Sequence, residues 1–282
     1  GLSAVTLYDA LFSGVTTRYV DLVCRPGRRT DAFVVRAAGK DADELGAREE
    51  LIVPKSAVFE TRNHVINFWT AEDLAIVRRV KALGAYDLTG SIWGLGIVTG
   101  DNKGKLLSEP FLGTEPIHTG KDIEPYRLRP ARHHIVFDRQ RLQQAAPDAV
   151  YRAPEKLVYK FISKRLVFAY DDEGCLCLNS ANILIPFVPS MGIKTAMAFL
   201  NSSVFQFLHA KLFGEVKVLK GNLTELPFPH VSEEIDARLT RLANEVLAGD
   251  DAKRDEIDAL VFAIYGFGDD EIRCIRSVVE AL

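Results

Sequence analysis

Eleven basic side chains, Lys103, Lys105, His118, Lys121, Arg127, Arg129, Arg132, Lys164, Arg165, Lys217 and Lys220, have the types and spacing to hold a polyanion. Lys103 and Lys121 each follow a turn glycine, Gly100 and Gly120, where a backbone without a Cβ can approach a ligand closely. Arg127, Arg129 and Arg132 crowd one short extended stretch. An arginine fork can make two parallel bonds to guanine O6 and N7, whereas a lysine is a single point charge, so lysines suit phosphates and an arginine suits a base edge. From Pro116 to Arg165 there are eleven Lys and Arg against five Asp and Glu, in a chain whose formal net charge is -3. A basic stripe on an otherwise acidic protein can bind a polyanion while the rest of the surface avoids it. The competing reading is a solvated surface on which Arg127 and Arg129 only pair with Asp122 and Glu124, contacts that contribute about 0–1 kcal/mol.

Patterns for other chemistry are incomplete. Gly94-Leu95-Gly96 followed by Gly100 misses the dinucleotide fingerprint because Thr99 stands where the third glycine belongs. Gly104-Lys105-Leu106 lacks the earlier glycine and the hydroxyl of a phosphate loop. Pro147-Asp148 followed by Glu155-Lys156 is a loose echo of a Mg²⁺ nuclease site, but the adjacent Glu and Lys project in different directions. Cys175 and Cys177 share one face of a strand without the second close pair that a zinc site needs, and His133 and His134 point to opposite faces. His118 reads as a hydrogen-bonding or phosphate-contacting side chain, or as a surface histidine.

The elements that must position these residues follow from patterning. Val5 to Phe12 leads into strands Thr17–Arg25 and Asp31–Arg36, joined as a hairpin across Pro26-Gly27-Arg28-Arg29-Thr30. Gly39 to Glu50 is a polar loop or linker before a strand, Glu50–Pro54. Thr70 caps a helix with Glu72 and Asp73 in its first turn, Leu74, Val77, Val80 and Leu83 at helical spacing, and Gly84 as its stop. Gly96–Lys103 and Pro116–Ile123 are two strand-and-glycine-turn units. Arg132–Phe137 is a strand and Arg139–Ala146 a short polar helix. Pro154 opens a helix over Glu155–Ile162. The strand Leu166–Tyr170 then folds back through Asp171–Gly174 as a hairpin into Cys175–Pro186. Thr195–Phe213 is an amphipathic helix stopped by Gly214, and Glu215–Asn222 is extended, with Lys217 and Lys220 either contacting a ligand or solvated. Helices capped by Ser232 and Asp269 close the chain, with breaks at Gly249 and Gly266-Phe267-Gly268.

An apolar fraction of 48% and a charged fraction of 26% over 282 residues fit one large or two modest globular domains. No apolar run reaches the roughly 20 residues that cross a bilayer. Cys24, Cys175, Cys177 and Cys274 are too scattered for a disulfide framework, which favours a reducing cytoplasm. Gly1 in place of methionine, with no leader after it, indicates a piece of a longer protein.

The two glycine-turn units, Leu200-Asn201-Ser202-Ser203 and Leu226-Pro227-Phe228-Pro229 together resemble the TaqI-like C-terminal specificity domain, the DNA-recognition part of adenine-N6 DNA methyltransferases and fused restriction-modification enzymes. The resemblance runs from about Ile92 to the end. It implies an α+β fold in which strands and turns form a DNA-recognition domain over 51–230, backed by a helical segment at 231–282. Residues 1–50 resemble the hairpin that closes the methyltransferase domain, plus a linker; an independent hairpin added to the main sheet is the alternative. In this family an Asn or Asp-Pro-Pro-Tyr or Phe motif holds the flipped base and a glycine-rich turn holds S-adenosylmethionine. Neither is present. The implied role is therefore sequence-specific recognition of duplex DNA, non-catalytic in this fragment. S-adenosylmethionine would belong to a methyltransferase domain in the same or a partner chain. A subunit-interaction module and an unrecognised enzyme are the alternatives; a large apolar patch would mark the first, a bound cofactor or a well-formed acid-base pair in a pocket the second.

Overall fold

The computed structural model describes residues 1–8, 19–27, 29–38, 50–61 and 64–282, which divide into two compact units, Gly1–Arg79 and Val80–Leu282. The end of the opening run, Arg28 in the expected turn, and the expected loop from Gly39 as far as residue 49 lie outside the described residues.

The first unit holds β1 (Leu2–Tyr8), β2 (Tyr19–Cys24), β3 (Ala32–Ala38) and β4 (Leu51–Pro54) in the order β2-β1-β3-β4. Both strands of the expected hairpin exist, but they do not pair with each other. β1 lies between them, antiparallel to β2 and parallel to β3. The cause is burial: Val5 of β1 joins Phe33, Val35 and Val53 in the core of this unit, whereas β2 is exposed along almost its whole length. The boundary between the units falls inside α1 (Ala71–Leu83). Its start is the expected Thr70 cap, closed into a capping box by Asp73: Thr70 Oγ1 accepts from Asp73 N at 3.0 Å and Asp73 Oδ2 accepts from Thr70 N at 2.9 Å. Arg78 on its wet face pairs with Glu60 at 2.7 Å.

The second unit is mixed α+β, as expected. It runs β5 (Gly84–Tyr86), β6 (Ile92–Leu95), α2 (Asn102–Lys105), β7 (Glu115–His118), β8 (His133–Ile135), α3 (Asp148–Tyr151) and β9 (Lys156–Lys160). It continues through β10 (Phe168–Asp171), β11 (Leu176–Cys177), β12 (Ala181–Ile185), α4 (Ile193–Asn201), α5 (Ser203–Leu212), α6 (Lys220–Thr224) and β13 (Phe228–Pro229). The helices α7 (Glu233–Leu247), α8 (Lys253–Tyr265) and α9 (Asp269–Glu280) close it. An antiparallel sheet of order β10-β9-β12-β6 and a smaller one of order β11-β7-β8 enclose a core that includes Ile97, Ile117, Tyr151, Val158, Leu178 and Ile183. Pro227 backs directly onto Gly84, where an added Cβ would meet Pro227 Cβ at 2.5 Å, so the pairing of β13 with β5 requires a glycine there.

Further expectations are corrected in the second unit. Glu155–Ile162 is not a helix: Lys156 to Tyr159 are all buried, and the segment is an inner strand, β9, between β10 and β12. A short apolar run buried on both faces carries no period, so pairing with its neighbours decides its conformation. The turn at Asp171–Gly174 does not close a hairpin; it passes the chain from the larger sheet to the smaller one, where β11 runs parallel to β7. Arg139–Ala146 forms only a 3-10 turn, Arg139–Arg141, because Gln144 then pairs with Val98 through hydrogen bonds of 2.8 and 3.1 Å. Finally, Gly268, not Asp269, is the cap residue of α9, its N–H donating to Glu271 Oε2 at 3.0 Å.

The expected helix over Thr195–Phe213 is two helices broken at Ser202. Asn201 turns its amide onto the backbone of Phe168, accepting from its N–H at 3.0 Å and donating to its carbonyl at 2.9 Å. Gln206 does the same to Leu166, at 2.8 and 2.9 Å. The two amides act as a partner for the segment leading into β10, while Tyr126 bridges the outer side of β10 itself, its N–H donating to Phe168 O at 2.7 Å and its carbonyl accepting from Tyr170 N at 2.9 Å. Ser202, in extended backbone, then restarts the helix by accepting from Phe205 N at 3.4 Å. α4 packs on α7 and α5 on α9, so the C-terminal helices cover the helical side of this unit. Among the described residues, no helix is long and apolar enough to cross a membrane.

Two measurements test this framework. Lys156 of β9 and Asp171 of β10 form a buried ion pair; Lys156→Met strands the Asp171 carboxylate, and we expect it to lower the unfolding free energy by about 3–5 kcal/mol in urea titrations. His209 is buried in α5 with Nε2 unpaired, and burial pushes its pKa down to about 4. The folded state therefore binds fewer protons than the unfolded one below about pH 6.5, so stability falls as pH drops from there toward 4, by about 2–3 kcal/mol from this residue. In His209→Leu, urea titrations at several pH values should show that slope flattened.

Candidate nucleic-acid interface

Both glycine-turn units converge on one short turn, Leu178-Asn179-Ser180, between β11 and β12. From one side, Ile97 N donates to Cys177 O at 2.7 Å and Asn179 N donates to Ile97 O at 3.0 Å. From the other, Leu178 N donates to His118 O at 2.8 Å, and Gly120 N donates to Ser180 Oγ at 2.9 Å. Glycine is required at both approaches. A Cβ on Gly96 would lie 2.2 Å from the carbonyl oxygens of Leu178 and Ala181, and one on Gly120 would lie 2.7 Å from Ser180 O.

Beyond these junctions the chain presents its two turn lysines. Gly100 has φ +77°, and Asp101 then caps α2 by accepting from Gly104 N at 3.0 Å, which leaves Lys103 exposed. Thr119 opens the 3-10 turn Gly120–Asp122 and leaves Lys121 exposed. The band continues past Ser180, whose carbonyl accepts from Phe161 N at 3.1 Å. Phe161 O in turn accepts from Val218 N at 2.8 Å, and Ile162 bridges to Lys217. Lys164 and Lys217 are exposed there, and Lys220 Nζ stands 5.8 Å from the centre of the Trp93 ring. Hydrogen bonds thus connect the segments that carry Lys103, Lys121, Lys164 and Lys217, directly or through one another, to the Leu178–Ser180 turn, although these segments lie far apart in sequence.

The other basic candidates are engaged within the protein. Arg127 donates to Val246 O at 3.0 Å, near the carbonyl end of α7, and pairs with Asp251 at 2.7 Å. Arg165 donates to Val279 O at 2.8 Å, near the carbonyl end of α9. Helix ends leave such carbonyls without intrahelical partners, and a cation also suits the negative end of the helix dipole. Lys105 Nζ donates to Thr99 O and Arg141 O, both at 2.6 Å, so it stitches the base of α2. His118, read from sequence as a hydrogen-bonding, phosphate-contacting or surface side chain, is instead buried in β7 with Nδ1 unpaired; it lies on the strand face opposite the core residue Ile117, lining a cavity with Arg127, Arg129 and Asp171, and burial lowers its pKa.

Arg129 pairs with Glu124 and stays largely exposed. Arg132 Nε donates to Asp122 Oδ1 at 2.7 Å while its side chain remains 58% exposed. Burial acts to raise the pKa of Asp122, but hydrogen bonds from Thr119 together with Arg132 hold it below the usual carboxylate range. Asp122 is thus an ionised, fixed anchor that orients Arg132. Of the pairing expected between Arg127 and Arg129 and the carboxylates Asp122 and Glu124, Arg129–Glu124 is present, whereas Asp122 holds Arg132 and Arg127 pairs with Asp251; Asn179 and Ser180 went unnoticed. The Asn-Ser pair after an apolar run is a turn signal that could have marked them.

Residues 115–228 match the model of the TaqI-like C-terminal specificity domain. The chain is 32% identical over 115 residues to the Type II methyltransferase M.VspI of Vibrio sp. (strain 343), a match covering 40% of this chain and 26% of that protein. Its fold resembles that of the Type IIL restriction-modification enzyme MmeI, solved in complex with DNA, with a TM-score of 0.57 at 10% identity, over 99% of this chain and 45% of that one. It is also similar to the type IIG restriction endonuclease BpuSI, with a TM-score of 0.44 at 13% identity, over 93% of this chain and 44% of that one. The chain spans about a quarter of the curated relative's length and less than half of either solved chain.

If Arg127 serves the fold and Lys121 the surface, the two separate in thermal and urea unfolding. Arg127→Ala should cost about 1 kcal/mol of stability, the loss of charged hydrogen bonds discounted for partial exposure. Lys121→Ala should stay within about 0.5 kcal/mol of the parent.

Proposed function

We propose that this chain recognises a specific sequence in duplex DNA on behalf of an adenine-N6 methyltransferase. The observation that carries this reading is the convergence of two glycine-turn units on the Leu178–Ser180 turn, with exposed Lys103, Lys121, Lys164 and Lys217 disposed around it. Lysines so placed neutralise phosphates on either side of a groove, and the turn between them meets the base edges. Lys220 extends the cationic band, and Arg132, oriented by Asp122, is the arginine best prepared to reach a base. Lys105, His118, Arg127 and Arg165 act in folding, and Arg129 lies at the margin. The similarity to a Type II methyltransferase supports a catalytic partner domain, in the same longer chain or in another, working in the cytoplasm. That domain would bind S-adenosylmethionine and act on the adenine that this chain positions; this fragment itself is non-catalytic.

Binding should be dominated by phosphate contacts. With about four to five lysines engaged, log affinity should fall against log salt with a slope of about -4, which fluorescence anisotropy between about 50 and 200 mM salt can measure. Lys121→Ala should reduce the slope by about 1 and weaken all sequences alike. Absence of binding at low salt, or affinity indifferent to salt, rejects the reading.

A further inference from the structure

We propose that Asn179 reads an adenine in the major groove, an assignment that rests on the DNA-recognition role above. Asn179 is the exposed tip of the turn on which both lysine-bearing units converge. Its backbone is held from several directions: its own N–H donates to Ile97 O at 3.0 Å, Ala181 N closes the turn onto Leu178 O at 2.8 Å, and Gly120 N pins Ser180 Oγ at 2.9 Å. Its side-chain amide has no hydrogen-bond partner among the described residues. The position is therefore rigid while its recognition group is free, the combination that minimises ordering cost on binding.

The chemistry of the group selects its target. A carboxamide offers an acceptor and a donor side by side, and adenine presents the complementary N6 donor and N7 acceptor in the major groove. A neutral amide gains nothing from the counterion release that rewards the surrounding lysines. Once DNA covers the turn, an amide left unpaired there would lose its water without compensation, so a base edge is what makes an asparagine at this place favourable. Arg129 and Arg132 differ in this respect, since each already holds a carboxylate.

The test is selection from a randomised duplex pool followed by sequencing, with the 282-residue chain, Asn179→Ala and Asn179→Asp. The parent should enrich a site with an adenine that Asn179→Ala no longer requires, with affinity for that site reduced about 5- to 150-fold and the salt slope unchanged. Asn179→Asp, left with acceptors only, should move the preference at that position from adenine toward cytosine. If Asn179→Ala selects the same site with the same affinity, the assignment to Asn179 falls while DNA recognition stands. An equal loss against every sequence would mark a phosphate contact and also overturn it. If the parent enriches no sequence, the recognition role falls and this assignment with it.

Discussion

The ion pair between Lys156 and Asp171, buried at the register point where β9 meets β10, is the interaction on which the second unit depends. Lys156 Nζ also donates to Tyr151 O at 2.6 Å, at the end of α3. The Asp171 carboxylate accepts from Glu173 N at 2.9 Å (Oδ1) and Cys175 N at 3.0 Å (Oδ2). Burial alone would raise the Asp171 pKa, yet Lys156 and these backbone donors hold it low. A buried pair of this kind need not add net stability over an apolar pair of equal volume, but removing one member leaves an uncompensated charge. Its geometry ties α3, two strands of the larger sheet and the exit toward β11 to a single point, which fixes where the Leu178–Ser180 turn emerges.

A second constraint concerns strand edges. β10 ends the larger sheet, and an open edge is a hazard unless it is covered. Asn201 and Gln206 cover the approach to it, each matching one backbone N–H and one carbonyl of the segment leading into β10. This explains the Leu-Asn-Ser-Ser stretch in physical terms. The asparagine serves the neighbouring strand, the first serine supplies the break and the next cap, and the helix pair is bent so that both amides reach their targets. Asp258 of α8 secures the start of α5 by accepting from Ser203 N at 2.8 Å, which couples the C-terminal helices to the same joint.

The basic residues divide between these structural duties and the surface. Arginine's fork reaches two acceptors at once, and the fold uses Arg127 for exactly that kind of double contact, to a helix-end carbonyl and to a carboxylate. The lysines on glycine turns have no such role and remain at the surface. A basic stretch in sequence is therefore a poor measure of a basic surface: charge count is a property of the chain, but the supply of nearby carbonyls and carboxylates belongs to the fold.

From its sequence this protein determines the local elements whose signals are contained within a few residues. The Thr70 cap with Asp73, the glycine stops at Gly214 and Gly266, the Ser232 cap of α7 and the two glycine-turn units are such cases, because propensity, capping and positive-φ glycines act over one or two turns of chain. The ordered set of motifs also pointed to the family whose model matches residues 115–228. Tertiary structure decided the rest. It made Lys156–Lys160 a strand, since a run buried on both faces shows no period, and it placed β1 between β2 and β3, since only the shared core rewards that order. It also joined the segments that carry Lys103, Lys121, Lys164 and Lys217 to the Leu178–Ser180 turn and its neighbours, because the hydrogen bonds between those segments span tens of residues and leave no local trace in the sequence.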